Sequence, residues 1–154
     1  MYILNSQMID ERSAGSVIFN DNDGVTSFLL LQYPAGHWDF PKGNIEKGEL
    51  PLDTVKREVS EETGLKDIHI FPNFEKKIMY FYRRTAGMVR KEVIFVLSRA
   101  TTLDVTLSNE HTNYVWLSLD EALNKVTYRN SKHVLKTASK FLDEYHIHHD
   151  ELVP

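Results

Sequence analysis

Residues 43–65, GNIEKGELPLDTVKREVSEETGL, dictate an irregular loop, a short helix and a stop, in that order. The stretch PAGHWDFPKGNIEKGELP (34–51) holds three prolines and three glycines, which exclude a long regular element and predict a shaped loop. Leu52, Val55 and Val59 then fall three and four residues apart, Pro51 suits a first helical turn, and Gly64 suits a stop. The spacing predicts a helix from Leu52 to Thr63 with that apolar stripe against the core. At about 100° per residue, Glu58, Glu61 and Glu62 share an arc roughly 100° wide beside the stripe, so their carboxylates emerge at the edge of a crevice.

This crowding is unfavourable by itself. Like charges at i,i+4 destabilise a helix by roughly 0.2–0.5 kcal/mol, and negative charge near the carboxyl end opposes the helix dipole. A glutamate-rich helix face is ordinarily just solvated. The glycine-rich loop beside this one argues instead for a hard divalent cation, which takes several carboxylate oxygens and bridges to phosphates. Lys42, directly before Gly43, is placed to touch such a phosphate, and Gly43, Gly48 and Gly64 permit the backbone shapes that a loop and a helix stop require.

Elsewhere the pattern mixes strands with helices. SAGSVIFN (13–20), the turn DNDG and VTSFLLLQY (25–33) read as a buried hairpin. HIFPNFEKKIMYFYRR (69–84) and RKEVIFVLSRA (90–100) read as a second strand pair, and NYVWLSL as another strand. Asp120 or Ser118 can cap a short helix through EALNKV, and Val134, Leu135, Ala138, Phe141, Leu142 and Tyr145 form the apolar stripe of a closing helix. The expected fold is α/β (α+β), one domain over residues 1–154 with helices covering a sheet.

Bulk properties narrow the partners. The hydrophobic share of 42% and charged share of 26% are those of a soluble globular protein. There is no cysteine, so disulfides and thiolate metal sites are excluded and a cytoplasmic location is expected. The amino-terminal MYILNSQMIDERSAG has neither the basic start nor the apolar run of a signal peptide, and no membrane span is expected. A net charge of −4 argues against a broad nucleic-acid-binding face, so phosphate binding must be local or metal-assisted. HIHHDE (146–151) resembles a metal cluster but reads as a solvated tail, and His111 reads as an ordinary surface or hydrogen-bonded histidine.

Gly43, five residues, Glu49, seven residues and REVSEETGL (57–65) together resemble the complete signature of the Nudix hydrolases. The resemblance implies a mixed β-sheet sandwiched between α-helices, with the signature at 43–65 as a loop, helix, loop unit that binds Mg2+ or Mn2+. It implies Glu58 and Glu62 as principal metal ligands, Glu61 as a further ligand or base, and Arg57 paired with Glu49 to brace the loop.

Flanking residues resemble the branch that cleaves diadenosine tetraphosphate asymmetrically to ATP and AMP, a likeness running over residues 13–142. By position it implies His37, Lys42 and Lys91 on the phosphate chain, Tyr80 and Tyr128 around an adenine, and Glu110 at the metal site or as base. Tyr114 is a weaker aromatic candidate. Phe40 stands where that branch commonly has proline, a form also found in other branches. Those branches, which act on RNA 5'-pyrophosphate ends, diphosphoinositol polyphosphates or damaged nucleotides, are the alternatives. A non-catalytic nucleotide sensor should carry a broken glutamate set, and here the set is intact.

Overall fold

The computed structural model describes residues 8–150, with side chains through His146. The first seven residues of the amino-terminal stretch and positions 147–151 of HIHHDE lie outside the described side chains. In chain order the elements are β1 (Ile9–Asn20), β2 (Ser27–Gln32), β3 (Trp38–Asp39), β4 (Lys42–Asn44), α1 (Pro51–Thr63), β5 (Ile68–Ile70), β6 (Lys76–Arg84), β7 (Gly87–Ala100), β8 (Asn113–Leu117), α2 (Leu119–Lys125) and α3 (Arg129–Asp150).

The centre of the sheet is a long parallel pairing of β1 with β7, from Ile9 opposite Val89 to Phe19 opposite Arg99. Each of these strands divides its other edge between two neighbours. Ser13–Gly15 of β1 pair with β4, whereas Phe19 and Asn20 pair with β2. On β7, Gly87–Phe95 pair with β6 and Ser98–Ala100 with β5. The hairpin expected from Ser13 to Tyr33 therefore exists, but only its turn end is paired, and the main partner of β1 is remote in sequence. The strand expected over residues 69–84 is broken at residues 71–75 into β5 and β6.

Both faces of the central strands are apolar, as strands covered on both sides must be. Alternation sends Ala14, Ile18, Leu29, Leu31 and Val96 to one face, against Val55 and Val59 of α1. It sends Val17, Phe19, Phe28, Leu30, Phe95 and Leu97 to the other, against Val134, Leu135, Ala138 and Leu142 of α3. The result is the mixed sheet sandwiched between helices. Phe40, the departure noted above, is fully buried and packs edge-on against Phe95 with ring centroids 5.6 Å apart.

Helix α1 starts where Pro51 fixes the first turn and the Asp53 carboxylate accepts the Leu50 N–H at 2.9 Å. It stops at Gly64, whose φ of 72° is left-handed and whose N–H donates to the Ser60 carbonyl. Leu52 corrects the expected stripe: it is 47% exposed, and Thr54 is buried in its stead, its hydroxyl donating to Glu49. Ser118, not Asp120, caps α2 by accepting the Glu121 N–H.

Two leucines separate core from surface. Leu135→Ala should lower the unfolding free energy by about 2–5 kcal/mol, whereas Leu52→Ala should stay within about 0.5 kcal/mol of wild type. Urea denaturation of the two variants checks this, and equal losses would refute the burial assignment.

Candidate active site

Arg57 organises the loop before α1. The turn Glu46–Glu49, with Gly48 at φ 84°, presents Glu49 to the helix. Arg57 Nε and Nη2 donate to its two oxygens at 2.8 and 2.9 Å, and Nη2 also donates to the Asn44 carbonyl at 3.0 Å. The remaining nitrogen, Nη1, donates to Glu58 at 2.7 Å and lies 3.4 Å from Glu61. These bonds hold the Glu49 carboxyl down to about 2.

The three helix glutamates differ in environment. The side chain of Glu62 is 4% exposed, that of Glu58 12% and that of Glu61 58%. Glu62 accepts the Lys42 backbone N–H from β4 at 3.2 Å. Glu58 lies over Gly43, where a Cβ would collide with its carboxyl carbon and Oε1. Gly43 is thus required for close approach and not for a left-handed backbone, unlike Gly48 and Gly64. The Glu58 pKa is pushed up to about 7, by burial first and by the negative charge of Glu62, against the opposing pull of Arg57.

Glu110 reaches the same place from the segment before β8, and one donor atom each of Glu62, Glu110 and His111 lie within 4.8 Å of one another. His111 corrects the expectation of an ordinary histidine. Its side chain is 1% exposed, Nε2 is 3.4 Å from Glu62 Oε1, and neither ring nitrogen makes a hydrogen bond. A buried imidazole without partners is costly, and a carboxylate set that repels itself is too. Both features fit a divalent cation. Glu62, Glu110 and His111 are the residues close enough together to hold it, with Glu58 beside Glu62.

Beyond β4 opens a cavity of about 560 Å³ lined by His37, Asp39, Lys42, Tyr80, Tyr82 and Tyr128 among others. The Lys42 ammonium bonds Asp39 at 3.1 Å, and Asp39 is held by Ser131 Oγ and the Phe40 N–H, each at 2.9 Å. Burial alone would lower the Lys42 pKa, but Asp39 reverses that and raises it. Lys91 donates to Asn44 Oδ1 at 3.2 Å and to Glu11 at 3.5 Å, and burial lowers its pKa. His37 stacks on Tyr33 at 4.7 Å and sits 5.3 Å from Tyr128. Burial lowers its pKa too, so near neutral pH it is an uncharged ring wall more than a cation.

The structure therefore brings Glu62 and Glu110 together with His111, sets Glu58 beside Glu62 with Arg57 and Glu61 at its edge, and gathers His37, Lys42, Tyr80 and Tyr128 around one cavity. Lys91 and Tyr114 are not among the residues lining the cavity; Lys91 instead bonds Asn44 of β4. Sequence reasoning passed over Asp39, which fixes Lys42, and Tyr33, which joins the two halves. The Tyr33 ring lies against His37 on one side and edge-on to His111 at 4.5 Å on the other, and its hydroxyl donates to the Phe40 carbonyl.

Known proteins resemble this chain in sequence and fold. Residues 10–138 match the family model of the NUDIX domain. The chain is 38% identical to the pig bis(5'-nucleosyl)-tetraphosphatase (asymmetrical), covering 85% of this chain and 95% of that one. It is 29% identical to an RNA pyrophosphohydrolase of Sulfurovum, covering 70% of this chain and 74% of that one. The fold matches the crystal structure of a binary complex of a Caenorhabditis elegans Ap4A hydrolase with a TM-score of 0.78 at 31% identity, over 87% of this chain and 98% of that one.

The raised Glu58 carboxyl sets a pH dependence. Between its usual value of 4.5 and about 7 it is protonated when folded and ionised when unfolded, so folding binds the extra proton and stability falls as pH rises through that window. Without divalent cations the Tm should fall across that range. Adding Mg2+ or Mn2+ should raise the Tm most at the upper end, and Glu58→Gln should flatten both responses. Thermal scans check this; a Tm in which neither pH nor metal matters would overturn the assignment of Glu58.

Proposed function

The chain belongs to the Nudix family, and on that premise we propose that it is a metal-dependent pyrophosphohydrolase that cleaves diadenosine tetraphosphate and related dinucleoside polyphosphates asymmetrically to ATP and AMP. One observation carries the reading. Lys42 faces both halves of the site at once, its backbone N–H on Glu62 and its ammonium at the wall of the aromatic cavity. A nucleotide whose base fills the cavity thus has its phosphates delivered to the carboxylates.

In this reading Glu58, Glu61, Glu62 and Glu110 hold Mg2+ or Mn2+, which when bound neutralises phosphate charge and acidifies coordinated water. The rest is positioning by the chain's own groups. Lys42 and Lys91 neutralise phosphate oxygens, and Asp39 keeps the Lys42 ammonium charged and aimed. Tyr80 and Tyr128 hold the adenine of the AMP half, with His37 as an adjoining ring; a base stacked on such a ring is worth about 1–3 kcal/mol. The attacking water must surrender a proton, and the exposed carboxylates Glu61 and Glu110 are the groups able to take it and release it to solvent. Arg57 contacts no reacting atom in this account and serves to hold Glu49, Glu58 and the loop in register.

Asymmetry follows because one base is anchored while the carboxylates stand at a fixed distance along the chain. The reading includes one catalytic domain and a cytoplasmic location; among the described residues no helix is long and apolar enough to cross a membrane. The RNA pyrophosphohydrolase relative makes a triphosphorylated RNA end the leading alternative substrate.

Chromatography of the products formed from diadenosine tetraphosphate with Mg2+ should show equal ATP and AMP. Two ADP, or turnover only on RNA ends, would sink the proposal. Glu62→Gln should lower turnover by at least about 100-fold with the Tm retained.

A further inference from the structure

The AMP half of the substrate leaves a second nucleoside to be placed, and the outer end of β6 carries a second aromatic ring beside a cation. Tyr80, Tyr82 and Arg84 are two residues apart and share one face of the strand. Tyr80 and Tyr82 both line the cavity, with ring centroids 6.2 Å apart and planes inclined at 36°. Tyr82 is therefore a second aromatic platform, one step farther out than the ring assigned to the AMP base.

This platform is held in place. Its hydroxyl donates to Glu11 of β1 at 2.6 Å, a short charge-assisted bond. The Arg84 guanidinium pairs with the same carboxylate at 2.5 Å and lies 5.3 Å from the Tyr82 ring centroid, a cation–π distance. Glu11 also takes Lys91 at 3.5 Å, and its own side chain is only 15% exposed. One carboxylate thus gathers a tyrosine, an arginine and a lysine from β6 and β7. Lys91 feels the charges of both Lys42 and Arg84, so the three cations extend from β4 past Tyr82 to the end of β6.

We infer that Tyr82 and Arg84, positioned by Glu11, form a site for the second nucleoside of a dinucleoside polyphosphate, with the base against the Tyr82 ring and the adjoining phosphate on Arg84. The inference rests on the activity proposed above. It makes the chain selective for substrates capped at both ends over nucleotides with one base and the same phosphate count.

The test compares diadenosine tetraphosphate with adenosine 5'-tetraphosphate, which has the same phosphate chain and lacks the second adenosine. The readout is the ratio of kcat/KM for the two. In Tyr82→Ala that ratio should fall about tenfold, the worth of one base stack. Tyr82→Phe, which keeps the ring and loses the bond to Glu11, should hold most of the ratio, and Arg84→Ala should lower it. A ratio unmoved by Tyr82→Ala, with both substrates cleaved by wild type, overturns the inference alone. Wild-type protein that cleaves neither substrate overturns the underlying activity and this inference with it.

Discussion

The site depends on how one guanidinium distributes its five donors. Arg57 gives two hydrogen bonds to Glu49 and one to the Asn44 carbonyl, fixing the loop, and turns Nη1 toward Glu58 and Glu61. A lysine could not do this, because only a planar fork meets a carboxylate with two parallel bonds and still reaches a carbonyl and a second acid. The same group solves two problems. It shapes the segment that carries Gly43 against the helix, and it offsets part of the repulsion among carboxylates that would otherwise turn away from one another.

The loop so fixed has to be attached to something rigid, and the splayed sheet provides it. Because β1 spends one whole edge on β7, its other edge is free to accept β4 at Ser13–Gly15. The approach is tight: a Cβ on Gly15 would strike the Pro41 carbonyl, which instead accepts the Ser16 N–H at 3.1 Å. Helix α1 packs on the same strand through Val55 and Val59. The glutamates and β4 are thus referenced to one strand, so the contacts between Gly43 and Glu58 and between Lys42 and Glu62 are set by the core.

This division explains what could be read from the chain alone. Loop, helix and stop at 43–65 were legible because their determinants are local: proline and glycine placement, apolar spacing and the arginine that closes the loop. The strands were legible as apolar runs, yet the partner of β1 was not, since nothing near Ser13 encodes a parallel neighbour some eighty residues on. Asp39, Tyr33 and Glu11 were missed for the same reason. Each acts through residues brought together only by tertiary pairing, as when Asp39 meets Ser131 of α3. His111 was misjudged because a histidine's role depends on burial. Leu52 was misjudged because the apolar periodicity of a first turn does not say whether the core extends that far.

A chain of charge −4 that binds polyphosphate needs its local charges arranged against the overall sign. On the proposed function the arrangement is split: the carboxylates around Glu58 and Glu62 repel phosphate, whereas the ammonium groups of Lys42 and Lys91 nearby attract it. A cation among the former reverses their sign and makes the two halves cooperate. Linkage then requires that metal and polyphosphate each raise the other's affinity by the same factor. In the reading proposed above, the carboxylates that cost the helix stability therefore make the nucleotide's binding conditional on the ion that activates its hydrolysis.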